Sequence, residues 1–172
     1  MPSWPVPADL VDYYEASIDA LEHLESSAFA GRARRFAGLT SSEIDERLRD
    51  MRAELDREVS LALLASAEAL LRVDFKARLE RRIKEPRDVR QRFRELAASD
   101  GDRVRLEDIL HVWKEKVGHP DRFAAFFEYL RVRHWLAHGR YWELKTSRRA
   151  EPQDVFEVID ALFDVLPGFR HP

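Results

Sequence analysis

Arg133, His134 and His138 lie within six consecutive residues, inside the segment RVRHWLAHGRYW that spans Arg131 to Trp142. Arginine offers a fixed fork of donors with a permanent charge and grips phosphate well. Histidine titrates near neutrality and moves protons. Together they can cleave a phosphodiester without a metal: histidine takes or supplies the proton, and arginine stabilises the charge that grows on the phosphorus oxygens. RNA brings its own nucleophile, the 2′-hydroxyl. The twelve residues hold three arginines, two histidines, two tryptophans and a tyrosine. That is more aromatic surface than a solvated helix needs and more cations than a core accepts. Arg131, Arg140, Lys145, Arg148 and Arg149 would add phosphate affinity, and Trp135, Tyr141 and Trp142 could stack on bases.

At about 100° per residue, Phe123, Phe126, Phe127, Leu130 and Ala137 form an apolar stripe that continues into Arg133, His134 and His138. Burying those groups unpaired would cost several kcal/mol. Either they find partners inside, or that end of the stripe faces a cleft, a ligand or a second subunit. Arg133 and His138 are about 140° apart on a straight helix and flank the stripe, with His134 between them.

The residues alone leave other readings open. A histidine on an apolar stripe can be a satisfied core residue, and the tryptophans suit core or interface packing. His134 and His138 have the i, i+4 spacing of helical zinc sites. They lack the intervening glutamate of the metalloprotease arrangement, so no metal and no cofactor is expected. Glu68 lies in the most apolar stretch of the chain, where a lone carboxylate is costly. It reads either as a structural partner for an arginine or a tryptophan N–H, or as a supporting residue that orients the site. Arg72 and Asp74 would share its network.

The elements that must carry these residues are helical. The chain has 172 residues, 45% hydrophobic and 35% charged, with a net charge of −3. Such a balance suits a globular helical protein, and nucleic-acid contact would need a local basic patch. With no cysteine, disulfides and thiolate metal sites are excluded. The first residues lack the pattern of a signal peptide, and no apolar run is long enough to span a bilayer. A soluble cytoplasmic protein with no membrane partner is expected.

Scarce Gly and Pro residues mark the boundaries. A helix is predicted from about Ala8 to Phe29, with a stripe of Leu10, Tyr13, Tyr14, Ile18, Leu21 and Leu24. Thr40 and Glu43 fit a capping box. From Val59 to Leu71 only Ser60, Ser66 and Glu68 are polar, as befits the centre of a bundle. One rod from Thr40 to Ile83 would be roughly 65 Å long, so a bend, a break or a projecting end is expected. Shorter helices follow over RDVRQRFREL, over LEDILHVWKEKV up to Gly118, from Pro120 to about Gly139, and from Pro152 to about Leu166. The charged run FKARLERRIKEPRDVRQRFR reads as solvated helix faces, with a basic groove along it as the alternative. The expectation is an all-α helical bundle of four to six helices in one domain, 1–172, with its core over about 8–166.

RHWLAHG resembles the signature of the HEPN superfamily of helical nucleotide-binding and ribonuclease domains: an arginine, a polar residue, then a histidine a few residues on. Here these are Arg133, His134 and His138. LLASAEALLRVDF is similar to the superfamily's central apolar helix, and LRVRHWLAHGRYW looks closest to the RiboL-PSP-HEPN branch or a related prokaryotic one. The resemblance covers about Glu58 to Trp142. It implies a four-to-five-helix bundle, often a homodimer with two motifs facing across a cleft. It further implies a metal-independent endoribonuclease acting on RNA, of the kind found among toxins and defence factors, some with an antitoxin protein as partner. On that resemblance Arg133 would bind phosphate, His138 would act as general acid or base, and His134 would orient or assist. Some toxin members carry a modifiable tyrosine two residues after the second histidine; here Tyr141 stands three after His138. Some members keep the fold without activity. A non-catalytic module binding a nucleotide or a protein, and a purely structural helical dimer, are the alternatives.

Overall fold

The computed structural model describes residues 6–80, 83–139, 143 and 148–169. Among these residues six α-helices run in chain order: α1 Pro7–Phe29, α2 Ser41–Leu79, α3 Arg87–Asp100, α4 Leu106–Val117, α5 Pro120–Ala137 and α6 Pro152–Phe163. Short 3-10 turns at Arg34–Phe36 and Gly101–Arg103 link α1 to α2 and α3 to α4. The chain is an all-α bundle, with no strand among the described residues. No helix of the described residues is long and apolar enough to cross a membrane.

The helix starts follow local chemistry. Prolines open α1, α5 and α6, where their missing N–H costs nothing. Thr40 and Glu43 form the capping box of α2: the Glu43 amide donates to Thr40 Oγ1 at 3.3 Å and the Thr40 amide donates to Glu43 Oε2 at 2.8 Å.

Of the expected bend, break or projecting end in the long rod, a break does not occur. Helix α2 runs unbroken for 39 residues, about 58 Å at 1.5 Å per residue. Its length divides between two cores. The N-terminal third packs antiparallel on α1 around a small cluster of Ala28, Phe36, Ile44 and Leu48. From Val59 onward it enters the main core and packs against α3, α4, α5 and α6. Leu63, Leu64, Ala67 and Leu71 are fully buried there. The separate cluster is what supports the outer end. In α1, Tyr13 is 59% exposed and drops out of the expected apolar stripe.

The far end of α2 carries a sealed ion pair. Arg78 is fully buried and its Nε donates to Asp74 Oδ2 at 2.8 Å. The same guanidinium donates to the carbonyls of Glu85 and Pro167 and lies 4.6 Å from the ring centre of Trp113. Asp74 therefore belongs to Arg78 and not to the Glu68 network. Burial pushes the Asp74 carboxyl above its ordinary value, against the pull of Arg78.

Candidate functional site

Helix α5 supplies the central residues. Its buried face is Phe123, Phe126, Tyr129 and Val132. Phe127 and Leu130 are half-buried and Ala137 is exposed, so the expected stripe is rotated toward Tyr129 and Val132. The rotation turns a second face, Ala124, Phe127, Arg131 and His134, toward solvent along one line at i, i+3, i+7 and i+10.

Gly118 and His119 join α4 to α5, both with left-handed φ, 76° and 50°. Glycine takes this conformation freely and histidine tolerates it. The chain reverses in two residues, so α4 and α5 lie side by side. Between them and α2 opens a groove of about 1440 Å³. From α4 it receives Glu107, His111 and Lys114, again one helix face; from α2, Glu68 and Arg72.

Arg133 lies where α5 meets α2. Its guanidinium is 2.9 Å from Glu68 Oε2, while Arg72 Nε donates to Glu68 Oε1 at 2.9 Å. Arg72 also donates to the Val104 carbonyl at 3.2 Å. One carboxylate thus holds two arginines, so Glu68 has arginine partners across the α2–α5 contact. The Glu68 side chain is 17% exposed and that of Arg133 36%, so the pair borders the groove without being sealed. Arg133 Nε is buried with no hydrogen-bond partner.

His134 lines the groove; His138 does not. His138 caps the C-terminus of α5, its amide donating to the His134 carbonyl at 3.1 Å, and Gly139 ends the helix with φ 84°. The two imidazole rings nevertheless meet, with centres 4.2 Å apart. Arg131 is exposed and lines the groove. Trp135 is half-buried and is not among the residues that line the groove. Arg140, Tyr141, Trp142 and Lys145 lie outside the described residues. Arg148 Nε donates to Glu128 at 3.0 Å, and Arg149 faces Glu151 at 3.8 Å.

Among the groove residues that sequence reasoning missed are the basic side chains Arg103, Arg105, His111 and Lys114. His111 and Lys114 share a helix face with Glu107 at i, i+4 and i+7, a signal present in the sequence. Arg103 and Arg105 sit in a connection without periodicity. Among the described residues, six cationic side chains and four carboxylates line the groove, a positive excess on a chain of net charge −3. The Arg105 guanidinium, through its hydrogen bonds, holds the Asp108 carboxyl below its ordinary range. Among the described residues no group of three or more His, Asp or Glu side chains forms a metal-ligand set.

No protein-family model matches the chain, and no curated protein or solved structure matches it significantly.

Proposed function

We propose that this protein is a HEPN-like, metal-independent endoribonuclease whose chemistry is carried by Arg133, His134 and His138. One observation supports this above the others. Arg133 and His134 border a cation-rich groove, and the His138 ring centre lies 4.2 Å from that of His134, the planes tilted by 54°. In the reaction the RNA 2′-hydroxyl attacks the adjacent phosphorus and the bond to the 5′-oxygen breaks. The 2′-hydroxyl proton passes to one base and the leaving oxygen takes a proton from one acid. His138 fills one of these roles with His134 assisting, and Arg133 stabilises the phosphorane charge. Glu68 positions the Arg133 guanidinium. In this reading the protein acts as a homodimer that brings two motifs to one cleft, in a toxin or defence setting.

The test is cleavage of single-stranded RNA by purified protein with chelator present. Arg133→Ala and His138→Ala should each lower the rate by roughly a hundredfold or more, as loss of acid–base or charge-stabilising groups does. Their melting temperatures should stay within a few degrees of the parent. Two variants that cut RNA as well as the parent would remove the assignment.

A second reading is a non-catalytic module that binds a nucleotide, RNA or a protein in the same groove. It is favoured by one feature, the engagement of Arg133 by Glu68, which already offsets part of its charge. Binding without cleavage, with a raised melting temperature on adding ligand, would establish it.

A further inference from the structure

The groove has a second wall that the Arg133 motif does not use. On it the His111 ring lies against Phe127, centres 5.2 Å apart and planes tilted by 33°. His111 is exposed and Phe127 half-buried, so the apolar ring backs the imidazole while both line the groove. Three cations line the same groove: Arg103, Lys114 and Arg131. None of the three forms an ion pair among the described residues. Two of the four groove carboxylates are already engaged, Glu68 by Arg72 and Arg133, and Glu128 by Arg148. Glu107 and Glu143 remain unpaired among the described residues.

Cations that line a groove beside a supported aromatic ring match the two repeating parts of a nucleic-acid strand. Phosphates need charge and bases need a surface to stack on. A duplex keeps its base faces stacked on one another, so the platform serves an unpaired strand. An acidic peptide would use the cations but has no base to place on His111. We infer that the wall formed by His111, Phe127, Arg103, Lys114 and Arg131 is a binding track for single-stranded RNA. One base stacks on His111, and the neighbouring phosphates run toward Arg133. The inference rests on the RNA reading above and deepens it, placing the substrate's flanking nucleotides along α4.

The track is tested by binding, apart from cleavage. Fluorescence anisotropy is read with a labelled twelve-nucleotide single-stranded RNA of mixed sequence and with an abasic phosphodiester chain of the same length. Every protein carries His138→Ala so that the probe stays intact. Adding His111→Ala should weaken RNA binding roughly tenfold and leave the abasic chain nearly unaffected, because only stacking is removed. Lys114→Ala should weaken both probes and reduce the salt slope by about one. Arg49→Ala, on the exposed outer part of α2, should change neither. Melting curves verify that each variant is folded, and His111→Gln serves as a second variant if the alanine is not.

RNA binding that ignores both His111 and Lys114 overturns the track, as does tighter binding of poly-glutamate than of RNA. Failure of the cleavage reading looks different. The parent then binds RNA in a His111-dependent way and cuts none of it. If instead the parent cuts RNA while the His111 and Lys114 variants bind as it does, the track fails and the cleavage reading stands.

Discussion

Helix α2 carries the same motif twice, six residues apart: Glu68 with Arg72, and Asp74 with Arg78, each a carboxylate followed by an arginine at i, i+4. The bond lengths hardly differ, 2.9 Å and 2.8 Å. The surroundings do. Six residues turn a helix by about 600°, so the second pair points roughly 120° away from the first. Asp74 and Arg78 face the core, at 5% and 0% exposure, where the arginine also ties the carbonyls of Glu85 and Pro167 together under Trp113. Glu68 and Arg72, at 17% and 41%, face the groove and gather Arg133 from α5. Spacing makes the pair; the direction it faces decides whether it closes the fold or equips a site.

Breaking the sealed pair should have the largest effect. Arg78→Leu strands the Asp74 carboxylate and two carbonyls, and removal of one partner from a buried pair costs about 3–5 kcal/mol. Urea unfolding at neutral pH measures the loss. Combining Arg78→Leu with Asp74→Asn should recover part of it, because the stranded charge is gone. A loss under about 1 kcal/mol for the single variant would mean that the sealed and open pairs are energetically alike, and the contrast would collapse.

The open pair should respond in function more than in stability. Glu68→Gln keeps the shape and removes the charge that Arg72 and Arg133 share. Stability should change by about 1 kcal/mol or less, as for exposed ion pairs. Under the proposed chemistry, cleavage at saturating RNA should fall roughly tenfold to a hundredfold, because Arg133 loses its fixed position. Affinity for RNA should hold or rise as a negative charge leaves the groove. A variant that melts far below the parent would turn Glu68 into a second structural clasp.

The same contrast explains what the sequence made legible. Helix ends were readable because their determinants are local: the Thr40–Glu43 box, Pro120, Pro152 and Gly118 each act within a turn of where they stand. The Glu68 partnership with arginine was readable from the cost of a lone carboxylate among leucines. Arg78 was not. It lies in a charged run that reads as a solvated face, and its burial depends on Pro167, 89 residues further along the chain. On α5 the apolar residues surround the helix, so a wheel cannot select Tyr129 and Val132 over Phe127 and Leu130; the neighbours select them. The groove was half legible. The motif on α5 was visible, while the wall opposite exists only because the Gly118–His119 reversal sets α4 beside it.

Another carboxylate on α2, Asp56, has a neutral partner. The Tyr14 hydroxyl donates to Asp56 Oδ1 at 2.8 Å and ties α1 to α2. Burial, then the hydrogen bond and charge of Asp56, then the charge of Glu151, push the Tyr14 phenol up from 10.0 to about 12. A phenol whose folded pKa is raised keeps its proton more firmly in the folded chain. Its stabilisation is fully present below pH 10 and is lost as pH rises through about 12. Tyr14→Phe should therefore cost about 1 kcal/mol at pH 8, the worth of one half-buried hydrogen bond. The gap between parent and variant should close between pH 10 and 12. Urea unfolding of the two proteins across that interval measures it. A gap that stays constant to pH 12 would mean that the Tyr14–Asp56 bond contributes nothing, leaving α1 held to α2 by apolar packing and the Glu25–Arg52 pair.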